Sequence, residues 1–175
     1  MTDFPLLSLC TRDNFESVIE LYLPMVYRLA FSRVKNIHDA NDISQEVFLK
    51  YMRADKTYND ENHRKAWLIK TTVNTSKTML LSSWNKRRAD IDSVPEKGED
   101  DKSILDLELQ DTVYSAVMEL PKNYRTVIHL FYYEDMPVNT ISKILGKPKN
   151  TVKSHLYRAR AVLKEKLEGV EFDEI

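Results

Sequence analysis

Hydrophobic residues recur along most of the 175-residue chain at the spacing of amphipathic helices. Apolar positions three or four residues apart predict a helix over residues 13–34, with a kink or break at Pro24. The same spacing predicts helices over residues 39–53 and 64–84. Only three glycines are present, and short β-branched runs bounded by turn residues are few. The pattern therefore predicts an all-α protein.

The helical pattern stops over residues 89–106, which read "ADIDSVPEKGEDDKSILD". This stretch holds seven acids and two lysines together with a proline and a glycine, a composition typical of a mobile linker. Helical spacing resumes over residues 109–120, and another helix is predicted after Pro121. We therefore predict two small helical domains, residues 1–88 and 107–175, joined by a flexible acidic linker.

Near the C-terminus, two helices are separated by a short turn. Residues 138–145 are amphipathic, Gly146 supplies a permissive turn residue, and a second helix follows Pro148. This order predicts a helix-turn-helix. One face of the second helix forms a stripe predicted to be buried: Val152, Leu156, Ala159, Leu163 and Leu167.

The opposite face of that second helix carries cations and short polar side chains. A helix that enters the major groove needs donors for phosphates and short polar groups for base edges. The alternative is a basic face that is only solvated, and His155 alone fits either a surface residue or a base reader. The predicted contacts to duplex DNA are Lys149, Asn150, Thr151, Lys153, Ser154, His155, Tyr157 and Arg158.

The net charge of −1 conceals two basic segments. Residues 63–88 hold seven Lys or Arg and no acid, and residues 147–166 hold seven Lys or Arg against Glu165 alone, so the rest of the chain is strongly acidic. Two such segments predict two contacts with polyanions, unless acidic faces balance them within the fold.

Other features exclude several classes of protein. The single Cys10 permits neither an internal disulfide nor a thiolate zinc cluster, and no apolar stretch approaches the roughly 18 to 20 residues of a membrane span. No N-terminal signal pattern is present, so we expect a cytoplasmic protein without membrane insertion. The four histidines are scattered and no Gly-rich phosphate loop exists. We therefore expect no metal, no cofactor and no enzymatic activity.

The predicted N-terminal domain has two candidate surfaces. In "HDANDISQEVFLKYMR", helical rotation places Asp39, Asp42 and Glu46 within about 60° of one another, opposite an apolar face. In residues 63–88, aromatic and cationic groups share one helical side, as a surface for unpaired bases requires. A solvated face remains the alternative for the acidic strip, and a core position remains the alternative for Trp67 and Trp84.

The stretch from Leu120 to Leu167 resembles the promoter-binding C-terminal domain of bacterial sigma factors of the extracytoplasmic-function (ECF) group. The likeness is carried by "LPKNYRTV", "ISKILG" and "TVKSHLYRAR", although "TVKSHL" is also similar to the effector domains of response regulators. Pro137 and Pro148 stand where the family usually has a Ser cap, and Lys147 replaces an apolar turn residue. Proline suits a first helical position, so the motif remains compatible with the family.

The segment "HDANDISQEVF" resembles the family's "DAEDLVQEVF" pattern, whose exposed face docks on the clamp helices of the largest polymerase subunit. The resemblance implies a core-polymerase surface made of Asp39, Asp42, Gln45, Glu46 and Leu49. It also implies that the acidic linker threads through the polymerase, whereas a plain solubilising linker fits the composition equally well.

The helix over residues 63–88 resembles the region with which the family melts and holds the minus-ten element. "AWL" and Asn74 match the family, whereas Thr71 and Thr78 stand where an apolar residue and an Asp are common. The loop before the helix corresponds to the family's loop that captures a flipped base. The implied minus-ten contacts are Asn59, Asp60, Asn62, Arg64, Trp67, Lys70, Asn74, Lys77, Lys86, Arg87 and Arg88.

The resemblance covers nearly all of residues 13–167 and implies a sigma factor that recognises the minus-thirty-five and minus-ten elements and opens the latter. Its implied partners are core RNA polymerase, promoter DNA and an anti-sigma factor. The alternative is a stand-alone helix-turn-helix regulator with an N-terminal partner-binding domain.

Overall fold

The computed structural model describes residues 15–54, 56–89 and 112–168, with side chains up to residue 82 in the second range. All regular structure in these ranges is helical, which confirms the all-α prediction. The predicted linker lies outside the described residues except for its first position. The helices are α1 (Phe15–Val34), α2 (Ile37–Ala54), α3 (Glu61–Ala89), α4 (Thr112–Glu119), α5 (Lys122–Ile128), α6 (Val138–Leu145) and α7 (Lys149–Leu167), and a π-helical turn, His129–Tyr133, continues α5.

The first compact unit is a three-helix arrangement in which α1, α2 and α3 each pack against the other two. Each helix turns one apolar stripe inward, as its sequence period predicts. Burial of these side chains drives the packing, at about 25 cal/mol for each Å² of apolar surface removed from water. The apolar residues of this unit with 0% exposure are Val26, Leu29, Ala30, Ala40, Ile43, Val47, Leu68 and Ile69.

Helix α1 continues without a break through Pro24, so a break at this proline is not present. The proline ring is exposed. Proline has no N–H to donate to the carbonyl of Glu20 one turn earlier, and on this side of the helix water can bond to that carbonyl instead. Val18 and Val26, on the opposite side, are buried in the core and hold the two halves of the helix in place.

A tight turn joins α1 to α2. Lys35 adopts a left-handed conformation with φ of 56°, and its N–H donates to the carbonyl of Phe31 at 2.8 Å. Asn36 then caps α2, because its Oδ1 accepts a hydrogen bond from the backbone N–H of Asp39 at 2.9 Å. This turn sets the direction in which the acidic strip on α2 faces.

The second compact unit contains α4 to α7, with α7 packed against α4, α5 and α6. The predicted inner stripe of α7 is confirmed at Val152, Leu156 and Ala159, whereas Leu163 and Leu167 are only half-buried. The other buried apolar residues of this unit include Leu120, Val127, Ile128, Leu130, Ile141 and Ile144.

The predicted helix-turn-helix is formed by α6 and α7. Gly146 ends α6 with φ of 61°, a left-handed conformation that residues with a Cβ rarely adopt. The turn is closed by two hydrogen bonds: the N–H of Lys147 donates to the carbonyl of Ser142 at 3.1 Å, and the Ser142 hydroxyl donates to the carbonyl of Lys147 at 2.6 Å. Pro137 and Pro148 directly precede α6 and α7, so the two departures from a Ser cap leave both helix starts intact.

The π-helical turn after α5 was not predicted from the sequence. The N–H of Glu134 donates to the carbonyl of His129 at 3.2 Å, five residues back, and Asp135 follows with φ of 53°. The wider turn leaves Tyr132 and Tyr133 exposed at 53% and 45%. It therefore creates a surface with two tyrosines beside the helix-turn-helix.

Candidate nucleic-acid interface

The outer face of α7 is the candidate surface for duplex DNA. Of its predicted contacts, Lys149, Asn150, Lys153, Ser154, Tyr157 and Arg158 are exposed, and Thr151 is half-buried. Tyr157 projects furthest, with 74% of its surface exposed. The buried stripe on the other side of α7 holds this face outward, so amide, hydroxyl and cationic groups lie side by side along the helix.

His155 is less available than the other predicted contacts. Its ring lies against that of Tyr124 from α5, with centroids 5.4 Å apart, and its Nδ1 is buried without a hydrogen bond in the described part of the chain. Burial, and then the positive charges of Lys147 and Arg158, lower the pKa of His155 below its usual value of 6.5. The imidazole is therefore neutral at pH 7 and positions α7 against α5.

The candidate polymerase-docking face on α2 combines acidic, amide and apolar groups. Asp42 and Gln45 are exposed, Leu49 is exposed at 39%, and Asp39 and Glu46 are half-buried. Glu46 pairs with Lys50 at 3.4 Å in a solvent-exposed ion pair, which contributes little to stability. The structure brings all five predicted residues onto the outer side of one helix.

Met52 belongs to the same face and was missed by the sequence reasoning. It is exposed at 50% and follows Leu49 by three residues and Gln45 by seven, so all three project in nearly the same direction. The signal that identifies it is this spacing, because an apolar residue in register with an exposed leucine extends the apolar part of a docking surface.

The candidate surface for unpaired DNA lies along α3. Lys70, Asn74 and Lys77 are exposed, as is Leu81 at 55%. The backbone of α3 extends through Ala89, while the side chains of the predicted contacts Lys86, Arg87 and Arg88, and that of Trp84, lie outside the described residues. The part of α3 whose side chains are described, residues 61–82, thus presents two cations, an amide and an apolar group on its outer side.

Arg64 departs from the prediction, because its side chain is buried at 1% exposure and does not face outward. Its guanidinium forms an ion pair with Glu61 and lies over the ring of Tyr58, 5.5 Å from the ring centroid. Glu61 in turn accepts a hydrogen bond from the hydroxyl of Tyr22 at 2.7 Å. Burial, and then the bond to Glu61, raise the pKa of Tyr22 well above its usual range. Glu61 thus joins α3 to α1, and Arg64, buried against Glu61 and Tyr58, is not available to a DNA phosphate.

The loop before α3 also serves the fold in part. Oδ1 of Asp60 accepts a hydrogen bond from the backbone N–H of His63 at 2.7 Å and caps α3. Asn59 and Asn62 are exposed, and the N–H of Asn59 donates to Nδ1 of His63 at 3.3 Å. Asp60 therefore has a structural role, whereas the side chains of Asn59 in the loop and Asn62 in the first turn of α3 remain accessible.

Trp67 is half-buried in an aromatic cluster that also contains Tyr51 and Tyr58. The ring centroid of Trp67 lies 5.8 Å from that of Tyr51 and 6.1 Å from that of Tyr58, in edge-to-face arrangements. The two tyrosine rings stack with their centroids 5.6 Å apart. Burial, and then Tyr51, raise the pKa of Tyr58 to about 12. The cluster joins α2, the loop and α3 and leaves part of the indole accessible.

Comparison with known proteins identifies two family regions in the chain. The family described as "Sigma-70 region 2" matches residues 18–86, and that described as "Sigma-70, region 4" matches residues 110–163. The chain is 36% identical over 144 residues to the RNA polymerase sigma factor SigV of Bacillus subtilis, covering 81% of this chain and 83% of SigV. It is 27% identical over 171 residues to the ECF RNA polymerase sigma factor SigW of the same organism, covering 89% and 90%.

The fold is also similar to that of a solved sigma factor, RpoE from Bartonella quintana, crystallised in complex with the anti-sigma factor NepR. The TM-score is 0.71 at 21% identity, over 91% of this chain and 99% of RpoE. The chain belongs to the ECF group of the sigma-70 family. Sigma factors of this group are regulatory subunits that bind core RNA polymerase and promoter DNA and direct the initiation of transcription. Because region 2 and region 4 occur in one chain, the stand-alone regulator is not favoured.

Proposed function

We propose that this chain divides promoter recognition among three surfaces: α2 docks on the clamp helices of core polymerase, α3 holds the opened minus-ten strand, and α7 enters the major groove at the minus-thirty-five element. The observation that carries the proposal is the outer face of α7, the second helix of the helix-turn-helix. Asn150, Lys153 and Arg158 are exposed on this face, directly after the closed turn. Cations of this kind contact phosphates, and Asn and Arg can form paired hydrogen bonds to base edges.

The proposed domain boundaries are residues 1–88 for docking and minus-ten contacts, 89–106 for the linker and 107–175 for minus-thirty-five recognition. The two compact units support this division. Limited proteolysis of the free chain, with cleavage within residues 89–106 and release of both units, is the measurement that tests it. Protection of that segment at low protease would contradict the boundaries.

The minus-ten surface in this proposal consists of Lys70, Asn74 and Lys77, with Asn59 in the preceding loop and Asn62 in the first turn of α3. Arg64 is not included, because its guanidinium is buried. Lysines follow the phosphates of a single strand, while amides can bond to the edges of unstacked bases. The accessible part of Trp67 is the proposed stacking surface.

We also propose that the chain acts in the cytoplasm as a non-enzymatic subunit and that an anti-sigma factor holds it inactive. No helix in the described ranges is long and apolar enough to cross a membrane. The described residues contain no cluster of His, Cys, Asp or Glu suited to a metal ion. The complex of RpoE with NepR supports the proposal of an anti-sigma partner.

Reconstitution tests the proposed function. Core polymerase is incubated with and without the chain on a library of genomic fragments, and run-off transcripts are sequenced. We expect discrete promoter-specific transcripts only when the chain is present, and co-elution of the chain with core polymerase. Tight promoter binding by the chain alone, without transcripts from the mixture, would instead support the stand-alone regulator.

A further inference from the structure

Arg160 on α7 is exposed, yet its side chain is held in one position. Its Nε–H donates a hydrogen bond to the hydroxyl of Tyr132 at 2.8 Å, and its guanidinium carbon lies 5.5 Å from the ring centroid of Phe131 and 5.7 Å from that of Tyr132. Ordering a long cationic side chain on binding costs affinity. Arg160 is already ordered in the free chain, so much of that cost is absent when a ligand binds.

Arg160 lies in line with the cations of the candidate duplex-binding face. It follows Lys153 by seven residues, which places the two within about 20° of each other around the helix. We call the exposed set Lys149, Lys153, Arg160 and Lys164 the basic row. The basic row runs along one edge of the outer face of α7, and Arg158 lies along the other edge.

Between these two edges lie Asn150, Ser154, Tyr157 and Ala161, with the acidic Glu165 at the C-terminal end of the face. A helix in the major groove has base edges below it and a phosphate backbone on each side. Over residues 149–161, uncharged groups at the centre and cations at both edges match that environment. The basic row therefore faces one of the two phosphate backbones, and Arg160 lies about 10 Å further along the helix than Lys153.

The pair formed by Arg160 and Tyr132 has donors left over for an anion. Tyr132 accepts from Nε and keeps its own O–H as a donor. Arg160 has no ion pair with a carboxylate among the described residues, and its two terminal nitrogens remain as donors. A planar guanidinium with two free terminal NH2 groups suits a phosphate better than a flexible ammonium does.

We propose that Arg160, held by Tyr132, contacts a backbone phosphate of the minus-thirty-five duplex and extends the row of phosphate contacts begun by Lys149 and Lys153. Tyr132 is a positioning residue whose hydroxyl orients the guanidinium. This inference rests on the proposed function, because it requires α7 to lie in the major groove. The competing partner is a protein, since exposed tyrosine and arginine side chains are also enriched at protein interfaces.

The test measures binding of the holoenzyme to duplex fragments over a series of salt concentrations. One fragment carries a promoter selected by run-off transcription, and the other is a scrambled sequence of equal length. The variants are R160Q, R160K, Y132F and the double variant Y132F/R160Q. K153Q serves as the positive control, and K166Q serves as the matched control because Lys166 pairs with Glu119 away from the basic row.

We expect R160Q to weaken binding of both fragments about tenfold and to lower the salt slope by about one unit, because one counterion fewer is released. R160K should retain the salt slope, since the charge remains. Y132F should weaken binding about threefold and add nothing in the R160Q background, because the two residues act as one unit. K166Q should bind as the wild type does.

Three outcomes would overturn the inference. If K153Q weakens duplex binding and R160Q does not, Arg160 is not a phosphate contact although α7 binds DNA. If R160Q instead lowers affinity for core polymerase and leaves the salt slope unchanged, the pair belongs to a protein interface. If neither K153Q nor R160Q alters duplex binding, the placement of α7 in the groove is wrong, and this inference is wrong with it.

Discussion

Nη1 of Arg125 donates a hydrogen bond to the backbone oxygen of Leu120 at 2.7 Å, across the turn that joins α4 to α5. The same nitrogen donates to the backbone oxygen of Met118 at 3.0 Å, and the side chain is 4% exposed. Burial lowers the pKa of the guanidinium, although arginine remains protonated at neutral pH. One buried cation thus satisfies carbonyls that the C-terminus of α4 leaves without helical partners.

We predict that Arg125→Met destabilises the C-terminal unit by about 2 to 4 kcal/mol, because the two buried carbonyls lose their donor. Both tryptophans, Trp67 and Trp84, precede the linker, so indole fluorescence reports the N-terminal unit while far-UV circular dichroism reports both units. Urea unfolding of the full chain should show an earlier transition by circular dichroism alone. Lys143→Met, at an exposed site on α6, is the control. Equal stability of the two variants would contradict the role given to Arg125.

Substitution of Arg64 and of Lys70 should affect stability differently, although both are cations on α3. Arg64→Met removes a buried guanidinium that pairs with the partly exposed Glu61, and should destabilise the N-terminal unit by about 2 to 4 kcal/mol, seen as a shift in indole fluorescence on unfolding. Lys70→Met changes the same charge at an exposed site and should leave stability within about 0.5 kcal/mol. An Arg64 variant with wild-type stability would show that its burial is not important for folding.

In the holoenzyme, Lys70→Met, Asn74→Ala and Lys77→Met should slow promoter opening, measured by permanganate reactivity of unpaired thymines.

The docking face on α2 should tolerate substitution without loss of fold. We predict that Asp42→Lys and Met52→Glu each weaken binding to core polymerase at least tenfold, because one reverses a charge and the other places a charge where an apolar contact is expected. Thermal melting should stay close to that of the wild type, since both side chains are exposed. Glu20→Lys, an equal charge reversal on the outside of α1, is the matched control. Unchanged affinity in both folded α2 variants would remove α2 from the interface.

Contacts to bases and contacts to phosphates on α7 should be separable. Asn150→Ala should cost about 1 to 3 kcal/mol at one position of the minus-thirty-five element and relax base preference there. Lys153→Gln should weaken binding on every sequence and lower the salt slope by about one unit. Competition between single-base variants of a promoter fragment measures both effects. A uniform loss across all sequences for Asn150→Ala would assign that residue to the backbone instead.

His155 predicts a pH dependence of stability. Burial and the nearby cations hold its folded-state pKa below 6.5, so the unfolded chain binds the proton more readily. The contribution of His155 to the free energy of unfolding is therefore intact above pH 6.5 and is lost as the pH falls through the lower folded-state pKa. Between pH 7.5 and pH 5, the melting temperature of the wild type should fall further than that of His155→Gln. Parallel pH profiles for the two proteins would show that His155 titrates as it does in the unfolded chain.

Much of the candidate site is readable from the sequence where it depends on a single helix. Helical rotation alone puts Ser154 and Arg158 opposite Val152 and Leu156, and a glycine between two amphipathic segments predicts the turn at Gly146. The sigma-70 assignment rests on such local motifs and is confirmed by the region 2 and region 4 matches. These features follow from side-chain spacing and backbone preference, which require no knowledge of distant residues.

Tertiary structure decides the residues whose partners are distant in sequence. Arg64 is one cation among seven in its basic segment, and only the packed fold, in which its partner Glu61 bonds to Tyr22 from 39 residues earlier, shows that it is buried. Arg160 is likewise one cation among several until Tyr132, 28 residues away, fixes its direction. The π-helical turn that exposes Tyr132 has no sequence signal of comparable strength to a capping glycine. Helical spacing determined which faces point outward, and packing between helices determined which of the cations on those faces remain free to bind.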